Sequence, residues 1–154
     1  SWLDGLRLEN IKLFLTTDPD APFDSAVHAM KFRWAKNLKV KDLEVIWGEP
    51  ALKQWDSALY FEDVNGLQLD GFTGRQAWLG KDLPAVVLDK VTDAMVRNSR
   101  APQGTAVFLK VLGKGTRDIV LFGNDLRQAK VPYQLDKEIS NEEIKVLDNF
   151  LPSQ

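Results

Sequence analysis

Few side chains in this chain of 154 residues could make or break bonds. There is one histidine, His28, and no cysteine, which excludes thiol nucleophiles, thiolate metal sites and a disulfide framework. A general base needs a nucleophile or a carboxylate partner in reach, and Val27-His28-Ala29 supplies none nearby, so His28 reads as a loop residue. Zinc needs three or four convergent ligands, and no such spacing occurs. Gly113-Lys114-Gly115-Thr116 resembles part of a phosphate loop. The first glycine of that motif is missing, however, and an apolar strand pattern follows at Ile119–Phe122, so a tight turn is expected. An acid–base pair could be sought only among Glu62, Asp63 and Asp89. The expectation is no catalytic residue, no metal and no cofactor.

Binding chemistry is better supplied. Trp34, Trp47, Trp55, Tyr60 and Trp78 fall within one stretch of the chain. Exposed aromatic faces stack on sugar rings, and flanking polar groups orient them. Tyr60 with Lys31, Arg33 and Glu62, joined by Trp55, Asp56 and Arg75 from adjoining loops, makes a candidate saccharide groove. A second reading stays open: these tryptophans cover the core where loops fold back.

Whether those residues meet depends on the elements that carry them. The pattern Leu38-Lys39-Val40-Lys41-Asp42-Leu43 recurs at Leu6–Ile11 and Leu67–Phe72, and more loosely from Ala94, Ile119 and Ile144. Successive copies are offset by 32, 29, 27, 25 and 25 residues. A constant strand core joined by loops of varying length gives such offsets. An upstream strand recurs as well, with Met30, Phe32 and Ala35 matching Leu59, Phe61 and Val64, then Val86, Leu88 and Val91. Two columns are nearly all aliphatic: Leu6, Leu38, Leu67, Ala94, Ile119, Ile144, and Leu8, Val40, Leu69, Val96, Leu121, Val146. The next column alternates charge (Glu9, Lys41, Asp70, Arg97), as solvent-facing neighbours on adjacent strands prefer. The column after it, Asn10, Asp42, Gly71, Asn98, Gly123, Asp148, contains only residues that tolerate a left-handed corner. The fold expected is all-β, a right-handed single-stranded parallel β-helix of about six coils, spanning 1–154 as a single domain. Loops at Thr17–Ala26, Gly48–Ser57, Gly74–Pro84 and Ala101–Gly104 take most of the prolines. Lys90–Arg97 and Asn141–Asp148 read as strand with turns rather than helix. The two last coils, near Phe108–Val111 and Tyr133–Leu135, need a small shift to fit.

Composition narrows the partners. Hydrophobic residues make up 44% and charged residues 27%, enough for a core in one soluble-type domain. A net charge of −2 without a basic patch argues against nucleic acid. No apolar run reaches membrane-spanning length, and no signal-peptide pattern is visible at Ser1-Trp2-Leu3-Asp4.

The runs Trp47-Gly48-Glu49-Pro50, Ser57-Ala58-Leu59 with Val64, Gly66–Phe72, and Gly123-Asn124-Asp125-Leu126 resemble the C-terminal coils of bacterial pectin-lyase-like β-helix proteins, grouped with the polygalacturonase-type glycoside hydrolases. The Asn-Thr-Asp, Asp-Asp, Gly-His-Gly and Arg-x-Lys motifs of polygalacturonases are absent, so no catalytic residue carries over. The resemblance implies a non-catalytic C-terminal part of a longer carbohydrate-active solenoid, periplasmic or extracellular, with a polysaccharide or oligosaccharide as partner. The alternative is a structural or interaction solenoid with no ligand. With no capping helix before Leu3, Leu6 and Leu8, end-to-end self-association is a further expectation. Phe122 and Leu147 stand in the outward column where charges stood before, and the tail from Phe150 or a partner is expected to cover them.

Overall fold

The computed structural model describes residues 1–21 and 25–153. Pro22, Phe23 and Asp24, within the expected loop Thr17–Ala26, and Gln154 at the end of the tail lie outside the described residues. The chain is an all-β solenoid in which every strand pairing is parallel. The strands are β1 (Leu3–Asp4), β2 (Arg7–Leu15), β3 (Met30–Trp47), β4 (Leu59–Thr73), β5 (Pro84–Arg97), β6 (Val107–Leu112), β7 (Arg117–Phe122), β8 (Val131–Leu135) and β9 (Ile144–Leu147).

The register reproduces the sequence columns. Leu38 pairs with Leu67, Leu67 with Ala94, Ala94 with Ile119 and Ile119 with Ile144; the Leu8-to-Val146 column is equally unbroken. On the upstream face Met30, Leu59, Val86, Leu109 and Tyr133 follow one another. These inward residues form one continuous core, in which Phe61, Phe72 and Phe108 are the largest fully buried side chains. Stacked aliphatic columns remove apolar area from water at every rung, which holds the cylinder together.

The coil count differs from the expectation. Six rungs stack on the Leu6-to-Ile144 face, but the chain closes about four full turns, the steps from Met30 through Leu59, Val86 and Leu109 to Tyr133. Counting one column counts the partial rungs at both ends as whole coils.

Corners come from left-handed residues. All six members of the Asn10-to-Asp148 column have positive φ, between 51° and 77°. Two further corner columns exist: Gly5, Asn37, Gly66, Asp93 and Asp118, and, on the other side of the short segment Ala35–Lys36, Trp34, Asp63, Lys90 and Gly113. Rung five departs from this plan, which explains the shift its sequence needs. Leu109 and Ile119 are ten residues apart, whereas Val86 and Ala94 are eight apart. The surplus forms the turn at Gly113–Thr116, whose Thr116 Oγ1 accepts the Val91 N–H at 3.2 Å in place of a strand carbonyl. Lys90–Arg97 lies in β5, while Asn141–Glu143 forms a single 3-10 turn capped by Ser140 before β9.

Among the described residues, the tail leaves the apolar outward pair exposed. Phe122 is 40% exposed and Leu147 49%, and Phe150 and Leu151 are themselves exposed. Phe150 instead extends the ladder beside Asp125, with its ring 5.9 Å from the Arg127 guanidinium. No helix among the described residues is long and apolar enough to cross a membrane.

Candidate functional site

Alternation along β3, β4 and β5 sends Lys31, Arg33, Tyr60, Glu62 and Asp89 outward while Phe32, Phe61 and Leu88 point to the core. The register then stacks Lys31 on Tyr60, and Arg33 on Glu62 on Asp89. Glu62 is the hub. Its Oε1 lies 3.3 Å from Lys31 Nζ and its Oε2 3.0 Å from Arg33 Nε; the carboxylate is 15% exposed, while both cations stay about half exposed. Two positive charges thus share one carboxylate. Asp89, the like-charged neighbour of Glu62 on the next rung, accepts the Tyr60 hydroxyl at 2.7 Å.

The rings form a platform beside these charges. His28 stacks on Tyr60 with centroids 4.7 Å apart and planes 27° off parallel, and Lys31 Nζ sits 5.2 Å from the Tyr60 centroid. The Ser57 N–H donates to His28 Nδ1 at 3.2 Å, which leaves the proton of the neutral ring on Nε2. Burial pushes the His28 pKa down, and Lys31 adds to this, while the charge of Asp56 pulls the other way. Burial first, then the hydrogen bond to Asp89 and the charges of Asp89, Glu62 and Asp56, push the Tyr60 phenol well up, so it remains a donor. Next along β3, Arg33 lies over the Trp34 ring at 4.1 Å. Trp34 is 47% exposed at a φ of 58°, a rare conformation for a bulky residue. The Leu3–Ala35 pairing sets Trp2 one rung from it, with Lys36 over the Trp2 ring.

The loop members of the expected groove are elsewhere. Trp55 is 6% exposed and packs against Trp47 at 5.2 Å, and Trp47 Nε1 donates to the Arg75 carbonyl. For these two rings, covering the core is their role. Arg75 braces its own loop by donating to the Gln76 and Ala77 carbonyls and pairing with Glu49. Asp56 receives the Ser57 hydroxyl at 3.3 Å and acts on His28 and Tyr60 through its charge. The structure therefore brings together Lys31, Arg33, Tyr60 and Glu62, adds His28, Asp89 and Trp34, keeps Asp56 at the margin, and places Trp55 and Arg75 outside.

A second concavity escaped the sequence reading. Around the Asn37–Gly66–Asp93 corner lies a shallow groove of about 350 Å³, floored by the outward column Lys39, Gln68, Met95 and Val120. Asp93, Asp118 and Arg97 stand at its margins, and Arg97 Nε is held by Asp70 at 3.1 Å. The signal was the position between the two aliphatic columns, whose residues change from charged to apolar between Lys39 and Val120 before Lys145 restores a charge. Neither face offers a free carboxylate pair from the residues considered for acid–base work: Glu62 is ion-paired, Asp89 is hydrogen-bonded, and Asp63 is a corner residue. Such an arrangement can bind and orient a polar ligand.

The fold defines the class, a parallel β-helix with a charged and aromatic strand face. No protein-family model matches the chain, and no curated protein or solved structure matches it either.

Proposed function

We propose that the chain is a non-catalytic part of a carbohydrate-active β-helix protein of the pectin-lyase-like kind, and that its β3–β4–β5 face binds an acidic oligosaccharide. One observation carries this reading: two half-exposed cations, Lys31 and Arg33, share the single carboxylate of Glu62 beside the stacked Tyr60 and His28 rings. Lys31 and Arg33, both half exposed, offer charged donors to a uronate carboxylate while Glu62 and Asp89 balance the face overall, and the aromatic platform suits the sugar's C–H face. A periplasmic or extracellular location follows from this reading, since that is where such polysaccharides occur. Calorimetric titration with oligogalacturonides is the test. Binding weakened about tenfold or more by Arg33→Ala, and weakened by salt, is the expected result. No heat of binding at millimolar sugar would sink the proposal.

A second reading, a solenoid serving as an interaction module without a small ligand, is favoured by the exposed Phe122 and Leu147 on adjacent rungs. It expects no sugar binding and no effect of Arg33→Ala.

A further inference from the structure

Lys41 stands between two carboxylates in the register, Glu9 on β2 and Asp70 on β4, and pairs with neither. Glu9 turns to Arg7 on its own strand, while Asp70 takes Arg97 Nε at 3.1 Å and the Asn98 amide at 3.1 Å. Lys39, two residues back on the same outward face, stands between Arg7 and Gln68. Among the described residues neither lysine has an ion-pair or hydrogen-bond partner, and both are exposed. Like charges directly opposite on adjacent strands are destabilising, so Arg7 beside Lys39 is a cost that an anion from outside would offset.

These residues enclose a space. Arg7, Lys39, Lys41, Gln68, Asp70 and Arg97 line a concavity of about 150 Å³. Lys39, Gln68 and Arg97 also line the groove of about 350 Å³ at the Asn37–Gly66–Asp93 corner, so the two adjoin. At one end stand the two unpaired lysines, about 7 Å apart along the strand. At the other the floor is Met95 and Val120, two and three rungs on, which is about 10 and 14 Å away. The column from Lys39 to Val120 has a paired strand on each side, β2 before it and β9 after it, so neither open edge of the sheet forms part of the floor.

We propose that this groove binds a phosphate monoester with a short apolar body. The phosphate lies between Lys39 and Lys41, within reach of the Gln68 amide, and the body lies along Met95 and Val120. A phosphate monoester is close to a dianion at neutral pH, which matches two unpaired cations. Its single ester bond directs the apolar body away from the charges. Asp93 and Asp118, at the margin of the apolar end, repel an anion there and fix this orientation. A charge without a body leaves Met95 and Val120 unused, and a body without a charge leaves both lysines unpaired. The corners at Trp34 and Asn37 separate this groove from the saccharide face, and the proposal does not rest on that reading.

Titration of the whole isotope-labelled chain with phenyl phosphate, followed by amide NMR shifts at constant ionic strength, tests the proposal. Saturable shifts centred on Lys39, Lys41, Gln68 and Met95 are expected, with inorganic phosphate binding the same residues about fivefold more weakly. Replacing both lysines, Lys39→Gln with Lys41→Gln, is expected to weaken phenyl phosphate about tenfold or more. Met95→Gln is expected to bring phenyl phosphate to within about twofold of inorganic phosphate and to leave the latter unchanged. Lys114→Gln, which removes an exposed lysine elsewhere, is expected to change neither. The amide spectrum of each variant reports its fold. No saturable shift up to about 10 mM phenyl phosphate, shifts centred instead on Lys31, Arg33 and Tyr60, equal affinity for the two phosphates, or an equal loss in Lys114→Gln would overturn the proposal.

Discussion

Replacing Asn124 with alanine tests how the corners of this solenoid are held. At the left-handed corner the backbone turns, and the N–H that follows points along the solenoid axis without a carbonyl opposite it. From rung three onward a side chain from the next rung supplies the acceptor. Ser99 Oγ accepts the Phe72 N–H at 3.1 Å, Asn124 Oδ1 accepts the Ser99 N–H at 2.9 Å, and Asn149 Oδ1 accepts the Asn124 N–H at 2.9 Å. Asn124 Nδ2 also donates to the Val96 carbonyl at 2.9 Å. Asn124 is fully buried, and Ser99 and Val96 are buried as well. Alanine would strand the Ser99 N–H and the Val96 carbonyl at a site closed to bulk solvent. Each stranded buried group costs roughly 1–3 kcal/mol, so the pair costs about 2–6 kcal/mol. That is a large share of the roughly 5–15 kcal/mol typical of a domain. Urea unfolding followed by circular dichroism reads the loss, with Asn65→Ala as control, because Asn65 makes an exposed hydrogen bond to Thr92 and should cost only about 0.5 kcal/mol. A cost for Asn124→Ala below about 1 kcal/mol, or no greater than that of the control, would refute the ladder as the support of these corners.

Two further outcomes follow from the geometry. Gly113→Ala should destabilise by roughly 2–4 kcal/mol, because the residue sits at a φ of 90° and a methyl there would meet Asp89 Oδ1 at 2.4 Å and the Lys90 amide nitrogen at 2.6 Å; a urea midpoint unchanged from the parent would contradict this. Two groups divide the acid response into separate windows. His28 has a folded-state pKa below its ordinary 6.5, so its contribution is whole above that value and falls as pH drops toward the folded-state value. Asp125 is held at about 2 by Arg127, and its contribution is whole above the ordinary carboxylate range and disappears only as pH falls through about 2. Urea midpoints between about pH 8 and pH 5 should therefore fall in the parent and flatten in His28→Gln; an equal slope in both would show that His28 does not carry the effect.

The fold was legible because the repeat carries three independent signals at fixed spacing. Inward positions such as Leu38 and Val40 are aliphatic, the outward position beside them alternates charge, and the corner tolerates only asparagine, aspartate or glycine. The charge column proved partly cosmetic. Arg97 pairs with Asp70, but Glu9 turns to Arg7 on its own strand rather than to Lys41. The Gly5-to-Asp118 corner column was equally readable, since it too contains only glycine, asparagine and aspartate. The Trp34-to-Gly113 column was not, because Trp34 and Lys90 are forced into the left-handed region by their place between two paired strands and not by their own preference.

For the site, legibility stopped where periodicity stopped. Residues 29 apart, Lys31 with Tyr60 and Arg33 with Glu62, had to meet because the strands on which they sit stack in register. Trp55 and Arg75 sit in loops, where no repeat dictates direction; the buried Trp47 surface drew in the one and loop carbonyls the other. His28 shows the converse. Judged along the chain it has no partner, yet two residues before Met30 it stands one rung from Ser57 and within stacking distance of Tyr60. In a solenoid the neighbour that matters lies a whole turn away. The charge balance of this face is therefore set by loop lengths as much as by residue type. The segment between β3 and β4 keeps Glu62 over Arg33, and shortening it by one residue would either bulge the loop or shift β4 by one position. In the second case Glu62 turns inward and Phe61 outward, so the fold itself opposes that register and protects the pairing of both cations with one carboxylate.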